Sequence, residues 1–107
     1  MTSVRVFFPR FDRAELIRRL GERMAALNGA LPLLRVVLFG SYAQGNYTVA
    51  SDVDLLVVYR GRSREDAFAI VKQVLAIPAL EPHVYSEDEF EQAQSRIQGG
   101  IVLFPQT

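Results

Sequence analysis

The chain has no cysteine and no tryptophan, a single histidine (His83) and a single lysine (Lys72). Without cysteine there is no disulfide, no thiolate metal site and no cysteine nucleophile. A serine triad also lacks support, because no nucleophile elbow accompanies His83. Apolar runs such as Leu31–Phe39 and Val53–Tyr59 fall far short of a membrane span. Met1–Arg10 lacks the apolar core and small-residue cleavage site of a signal peptide. These absences together lead to the expectation of a cytoplasmic protein in a reducing setting, with no membrane association.

Net charge is also missing: twelve basic residues balance twelve acidic ones. Direct nucleic-acid binding is therefore not indicated. The distribution is uneven, with seven arginines against three acids over 1–35 and five acids against one arginine over 81–107. Such asymmetry can steer a phosphate-bearing ligand or a charged partner, although solvated helix faces account for it equally well. Half the residues are hydrophobic and 22% are charged, the balance of a soluble globular domain. A length of 107 residues allows one core, so residues 1–107 are read as one domain.

Along the chain, Val4–Phe8 reads as a short strand ended by Pro9. Asp12 is placed to cap a helix running to about Leu27, with Leu16, Ile17, Leu20, Met24 and Leu27 on one face and Asn28-Gly29 as its stop. Leu33–Phe39 reads as a buried strand, Tyr42–Gly45 as one helical turn, and Asp52–Tyr59 as a second central strand. Ser63 and Asp66 suggest the cap of a helix to about Ala76. Leu80–Tyr85 is a third strand with Glu81, His83 and Tyr85 on one face. Ser86-x-x-Glu89 is a capping-box pattern opening a helix to about Ile97, and Ile101–Phe104 a last strand. This order predicts an α+β fold (an α/β sandwich) with a mixed sheet of four to five strands and helices mainly on one face.

The chemistry concentrates in Phe39–Val58. Gly40-Ser41 ends one apolar run, and Asp52 and Asp54 open the next. On a strand the two aspartates would share a face with Cα atoms roughly 6.5–7 Å apart. Carboxylates that close repel unless a cation lies between them, and hard divalent ions suit oxygen ligands. Gly40 lets a phosphate approach the backbone, and Ser41 adds a hydroxyl at the start of a helical turn. Carboxylates for metal beside donors for phosphate are the parts of metal-dependent phosphoryl or nucleotidyl transfer. A dinucleotide site lacks its G-x-G-x-x-G spacing, and a Ca²⁺ loop is ruled out because D-V-D-L-L-V runs straight into a strand.

Gly40-Ser41, ten intervening residues and Asp52-Val53-Asp54 together resemble the G-S-x10-D-x-D signature of the DNA polymerase β-like nucleotidyltransferases. The chain resembles their minimal one-domain branch over roughly residues 10–104. The resemblance implies a nucleotidyltransferase fold and a third carboxylate, for which Glu81 is the candidate and His83 the runner-up. Asp52, Asp54 and Glu81 would then be the catalytic carboxylates and would hold two Mg²⁺ ions. Gly40, Ser41 and Gln44 would face the phosphates of ATP or another NTP. Where the commoner motif is G-S-R-A-R-G, this chain has Tyr42 and Gln44, so either nucleotide affinity would be weaker or a cation such as Arg60, Arg62 or a partner's arginine would substitute. Tyr42 and Tyr47 are placed either to stack on a base or to pack the loop.

Minimal domains of this kind are commonly paired with a helical HEPN-domain protein as antitoxin and toxin. The HEPN arginine-x4-6-histidine motif is absent from this chain, which puts it on the nucleotidyltransferase side. The resemblance thus implies transfer of AMP from ATP to a hydroxyl, such as a tyrosine of a HEPN-type toxin. The alternative is an antitoxin that acts by binding its partner, with weak or vestigial catalysis. Homo-oligomerisation stays open.

Overall fold

The computed structural model describes residues 12–48, 50–94 and 99–105, with only the backbone described at Gln92. The expected strand Val4–Phe8 lies outside the described residues. Among the described residues four helices and four strands follow in order: α1 (Arg13–Ala30), β1 (Leu33–Phe39), α2 (Ser41–Gln44), β2 (Val53–Tyr59), α3 (Ala67–Leu75), β3 (Leu80–Ser86), α4 (Phe90–Gln94) and β4 (Ile101–Phe104). A 3₁₀ turn, Glu87–Glu89, leads into α4.

α1 begins where the sequence predicts. The Glu15 amide donates to Asp12 Oδ1 at 2.7 Å, a cap worth about 1 kcal/mol. It ends three residues later than expected, because Asn28-Gly29 does not stop it. The Leu31 amide donates to Leu27 O (2.7 Å) and Asn28 Oδ1 accepts from the Leu33 amide (2.9 Å), so the exit is satisfied around Pro32. Leu16, Leu20, Met24 and Leu27 are its buried stripe. The solvent face carries Arg18 paired with Glu15 and Glu22, and Arg19 with Glu15. Exposed pairs of this kind are screened by solvent and add little, so burial of the leucine stripe holds the helix down.

The sheet has strand order β3-β2-β1-β4. β1 is antiparallel to β2 and to β4, while β2 and β3 are parallel. Among the described residues the sheet is mixed and has four strands, within the expected four to five. α3 is the crossover that parallel β2 and β3 require. Its expected cap differs in detail: Asp66 occupies the N-cap with helical backbone and makes no capping bond. The Asp66 carboxylate instead accepts from Arg64 Nε (3.0 Å) and Nη2 (2.8 Å), and Arg64 holds it below the usual carboxylate range. The Ser86–Glu89 capping box is present, with Glu89 Oε1 accepting from the Ser86 amide (3.0 Å) and hydroxyl (2.9 Å).

Side-chain alternation divides the strands between two unequal layers. Val36, Leu38, Val53, Leu55, Val57 and Tyr59 pack against α1 and α3 in the main core. Val37, Leu56 and Val58 face the other way, where Ala93 of α4 and the partly buried Leu34, Phe39, Tyr85 and Phe90 cover them. A bulge between Leu33 and Arg35 lets β1 accommodate its one charged residue: Leu34 joins the thin layer and Arg35 pairs with Val58, which lies on the same face. Leu20 is fully buried beneath the thick layer. Leu20→Ala should cost about 2–5 kcal/mol, measured as a lower urea midpoint with an unchanged slope.

Candidate active site

Strand direction gathers the candidate residues at one end of the sheet. Antiparallel pairing puts the end of β1 beside the start of β2, with Phe39 opposite Asp54. Parallel pairing puts the start of β3 there as well, with Glu81 opposite Asp54 and His83 opposite Leu56. Paired residues share a face, so Phe39, Asp54, Leu56, Glu81 and His83 all lie on the thin side of the sheet.

Gly40 is the pivot of this end. Its backbone (φ 74°, ψ −153°) lies in a region essentially confined to glycine. A Cβ at this position would fall on Asp54 Oδ2 and only 3.1 Å from its Cγ. The missing side chain therefore makes room for the carboxylate itself, in addition to any ligand. The chain then turns into α2, whose internal bonds begin with the Gln44 amide donating to Gly40 O (3.1 Å), leaving Ser41 in the first turn, where amides point outward. Gly45, with a left-handed backbone, caps the turn and donates to Ser41 O at 2.9 Å.

The two aspartates have different surroundings. β2 starts at Val53, not Asp52, and the Val53 amide donates to Ala79 O at 2.8 Å. Asp54 is inside the sheet and about a third exposed, while Asp52 is exposed ahead of the strand, where alternation no longer dictates its direction. Glu81, although in register with Asp54, is exposed. Gln44 is exposed at the end of α2. Among the described residues, no three histidine, aspartate or glutamate side chains lie close enough to hold a metal ion together. The side chain that does approach Asp54 is His83, with Nε2 3.7 Å from Oδ1. His83 Nε2 is buried and has no hydrogen-bond partner among the described residues. A carboxylate facing an unsatisfied imidazole nitrogen is a donor set suited to a divalent cation, and substrate phosphates and water commonly complete such a site.

The arginine that reaches the Gly40–Gly45 turn is one that the sequence did not suggest. Arg60 and Arg62 follow the far end of β2, about 20 Å along the strand from Asp54. Arg13, at the start of α1, reaches the Gly40–Gly45 turn instead: its Nη1 donates to Ala43 O at 2.9 Å. Its backbone amide also donates to Tyr47 Oη at 3.1 Å. Thirty residues separate Arg13 from Ala43, so no local motif could have revealed the contact. Of the two readings for the tyrosines, the structure favours packing. Tyr42 is buried in the core and stacks on Tyr47 with ring centroids 4.4 Å apart and planes at 9°.

A glycine-serine turn and carboxylates at one end of a mixed sheet define the class of a nucleotide-handling transferase. The chain matches the family described as Nucleotidyltransferase domain over residues 17–102, and it belongs to that family. A crystal structure of a candidate nucleotidyltransferase from Sulfolobus solfataricus superposes with a TM-score of 0.60 at 22% identity. The match covers 85% of this chain and 81% of that one, a likeness of fold. No curated protein matches the sequence. Among the described residues no helix is long and apolar enough to cross a membrane.

Gly40→Ala should be the costliest glycine replacement here. Backbone strain alone accounts for about 1–3 kcal/mol, and displacement of Asp54 adds to it. Gly29→Ala, in α1 with open space around it, should stabilise by up to about 1 kcal/mol. Chemical denaturation of the two variants side by side checks the contrast.

Proposed function

We propose that this chain transfers AMP from ATP to a hydroxyl, and that the acceptor is a tyrosine of a helical HEPN-type partner for which the chain serves as antitoxin. The observation that carries the chemistry is the Asp54 carboxylate seated in the space left by Gly40, at the mouth of the Ser41 turn. Membership of the nucleotidyltransferase family supports nucleotidyl transfer. The partner and the acceptor rest on the likeness to minimal one-domain members of the superfamily.

In this reading Asp54 and Asp52 would hold divalent metal, Mg²⁺ being the usual ion, with Glu81 as the carboxylate next in register. Bound there, such an ion lowers the pKa of an attacking hydroxyl and neutralises charge on the leaving pyrophosphate. The chain's own residues bind and orient. Ser41 and the first-turn amides of α2 would receive phosphate oxygens. Arg13, held against Ala43 beside Gln44, would supply the positive charge that Gln44 does not. The Tyr42–Tyr47 stack keeps the turn in shape and leaves Tyr47 Oη as an acceptor for the Arg13 amide.

One observation favours the second reading, an antitoxin acting by occlusion: the predicted carboxylate trio is not assembled among the described residues. Labelled ATP, a divalent metal and the HEPN protein separate the two. Under the enzymatic reading, label moves to the partner, and Asp54→Asn lowers the rate at least about 100-fold while shifting metal-free stability by less than about 1 kcal/mol. A tight complex with no label transfer would establish occlusion. Arg13→Ala should raise the apparent KM for ATP about 5- to 30-fold, the loss of about 1–2 kcal/mol of phosphate contact, with a smaller effect on kcat.

A further inference from the structure

We infer that His83 Nε2, not Glu81, is the ligand that joins Asp54 at the metal position, and that this chain therefore favours a borderline ion such as Zn²⁺ or Co²⁺ over Mg²⁺. The inference rests on the metal-dependent reading above and replaces its third carboxylate with an imidazole.

Three features of the geometry point to it. The 3.7 Å between His83 Nε2 and Asp54 Oδ1 is too long for a hydrogen bond, which lies near 2.7–3.2 Å. Two atoms each about 2.1 Å from one ion lie roughly 3.0–4.2 Å apart, depending on the angle at the ion, so the observed spacing suits shared coordination. The nitrogen is buried and unpartnered among the described residues, whereas buried polar atoms are normally satisfied. The ring is also held in place: Phe39 packs on it at 5.0 Å between centroids with planes tilted by 58°.

Glu81 lacks these features. It sits directly across from Asp54 in the β2–β3 register, but its side chain is exposed. His83, two register positions further into the sheet, approaches the carboxylate diagonally from a half-buried position. Replacing a third carboxylate by imidazole changes the ion that fits. Mg²⁺ prefers oxygen ligands throughout, while nitrogen ligands favour Zn²⁺, Co²⁺ and their neighbours.

Because His83 is the only imidazole in the chain, one ¹⁵N signal pair reports on it without assignment ambiguity. In the ¹⁵N-labelled 107-residue chain, Zn²⁺ should move the Nε2 resonance to a metal-bound position, and Mg²⁺ at the same concentration should not. Asp54→Asn should weaken the Zn²⁺ effect at least about tenfold, since losing a direct ligand costs no less than losing its supporting partner. Glu81→Gln should leave it unchanged. An Nε2 resonance indifferent to Zn²⁺, or a Zn²⁺ shift of equal affinity in Asp54→Asn, would overturn the assignment, as would loss of the shift in Glu81→Gln. The label-transfer assay is read separately. A Zn²⁺-responsive Nε2 with no transfer under any metal would end the enzymatic reading and leave the ligand assignment standing. Transfer with an unresponsive Nε2 would do the reverse.

Discussion

The contact between Asp54 and Gly40 is the constraint on which the functional end of the sheet depends. Pairing of β1 with β2 brings the backbone just after Phe39 up against the Asp54 carboxylate, and only a residue without a side chain can pass there. The same residue must take a backbone conformation that L side chains avoid, in order to turn the chain from β1 into α2. Steric room for the charge and direction for the turn are thus one requirement met by one glycine. Ser41 owes its place at the start of α2 to that turn.

The two unequal layers of the sheet explain how a charge is tolerated in this position. On the thick side, strand residues are fully buried beneath α1 and α3, and a carboxylate there would be strongly desolvated. Asp54 points to the thin side, close to the sheet end, where its side chain is partly open. Phe39, Leu56 and His83 border it on that side. The apolar neighbours limit water without closing the site, which suits a position reached by a charged ligand. Arg13 then brings α1 into the same region by its grip on Ala43, so the helix that builds the main core also braces the glycine-serine turn.

Much of this was legible along the chain. The leucine stripe of α1, the apolar strands β1 and β2, the Ser86–Glu89 capping box and the final strand Ile101–Phe104 each follow from periodicity or capping chemistry within about ten residues of sequence. The G-S-x10-D-x-D spacing likewise pointed to the correct family. The misreadings arose where a competing contact a few residues away overrode the expected capping signal. α1 runs past Asn28-Gly29 because Asn28 finds a bond to Leu33. Asp66 gives its carboxylate to Arg64 and not to the helix it precedes. For Tyr42 the packing alternative holds, since it is buried in the core and stacks on Tyr47.

Local order in this protein is encoded by patterns that repeat every two or 3.6 residues, so the elements, the turn and the identity of the Asp54 strand could be read without a structure. Side-chain meetings across elements have no such period. Whether Glu81 or His83 approaches Asp54 depends on the β2–β3 register and on how far each side chain is buried, and the two candidates share one face two residues apart. Which arginine reaches the Gly40–Gly45 turn depends on where α1 docks. Those choices came with the packing of the sheet, because only there do residues thirty positions apart compete for the same few ångströms.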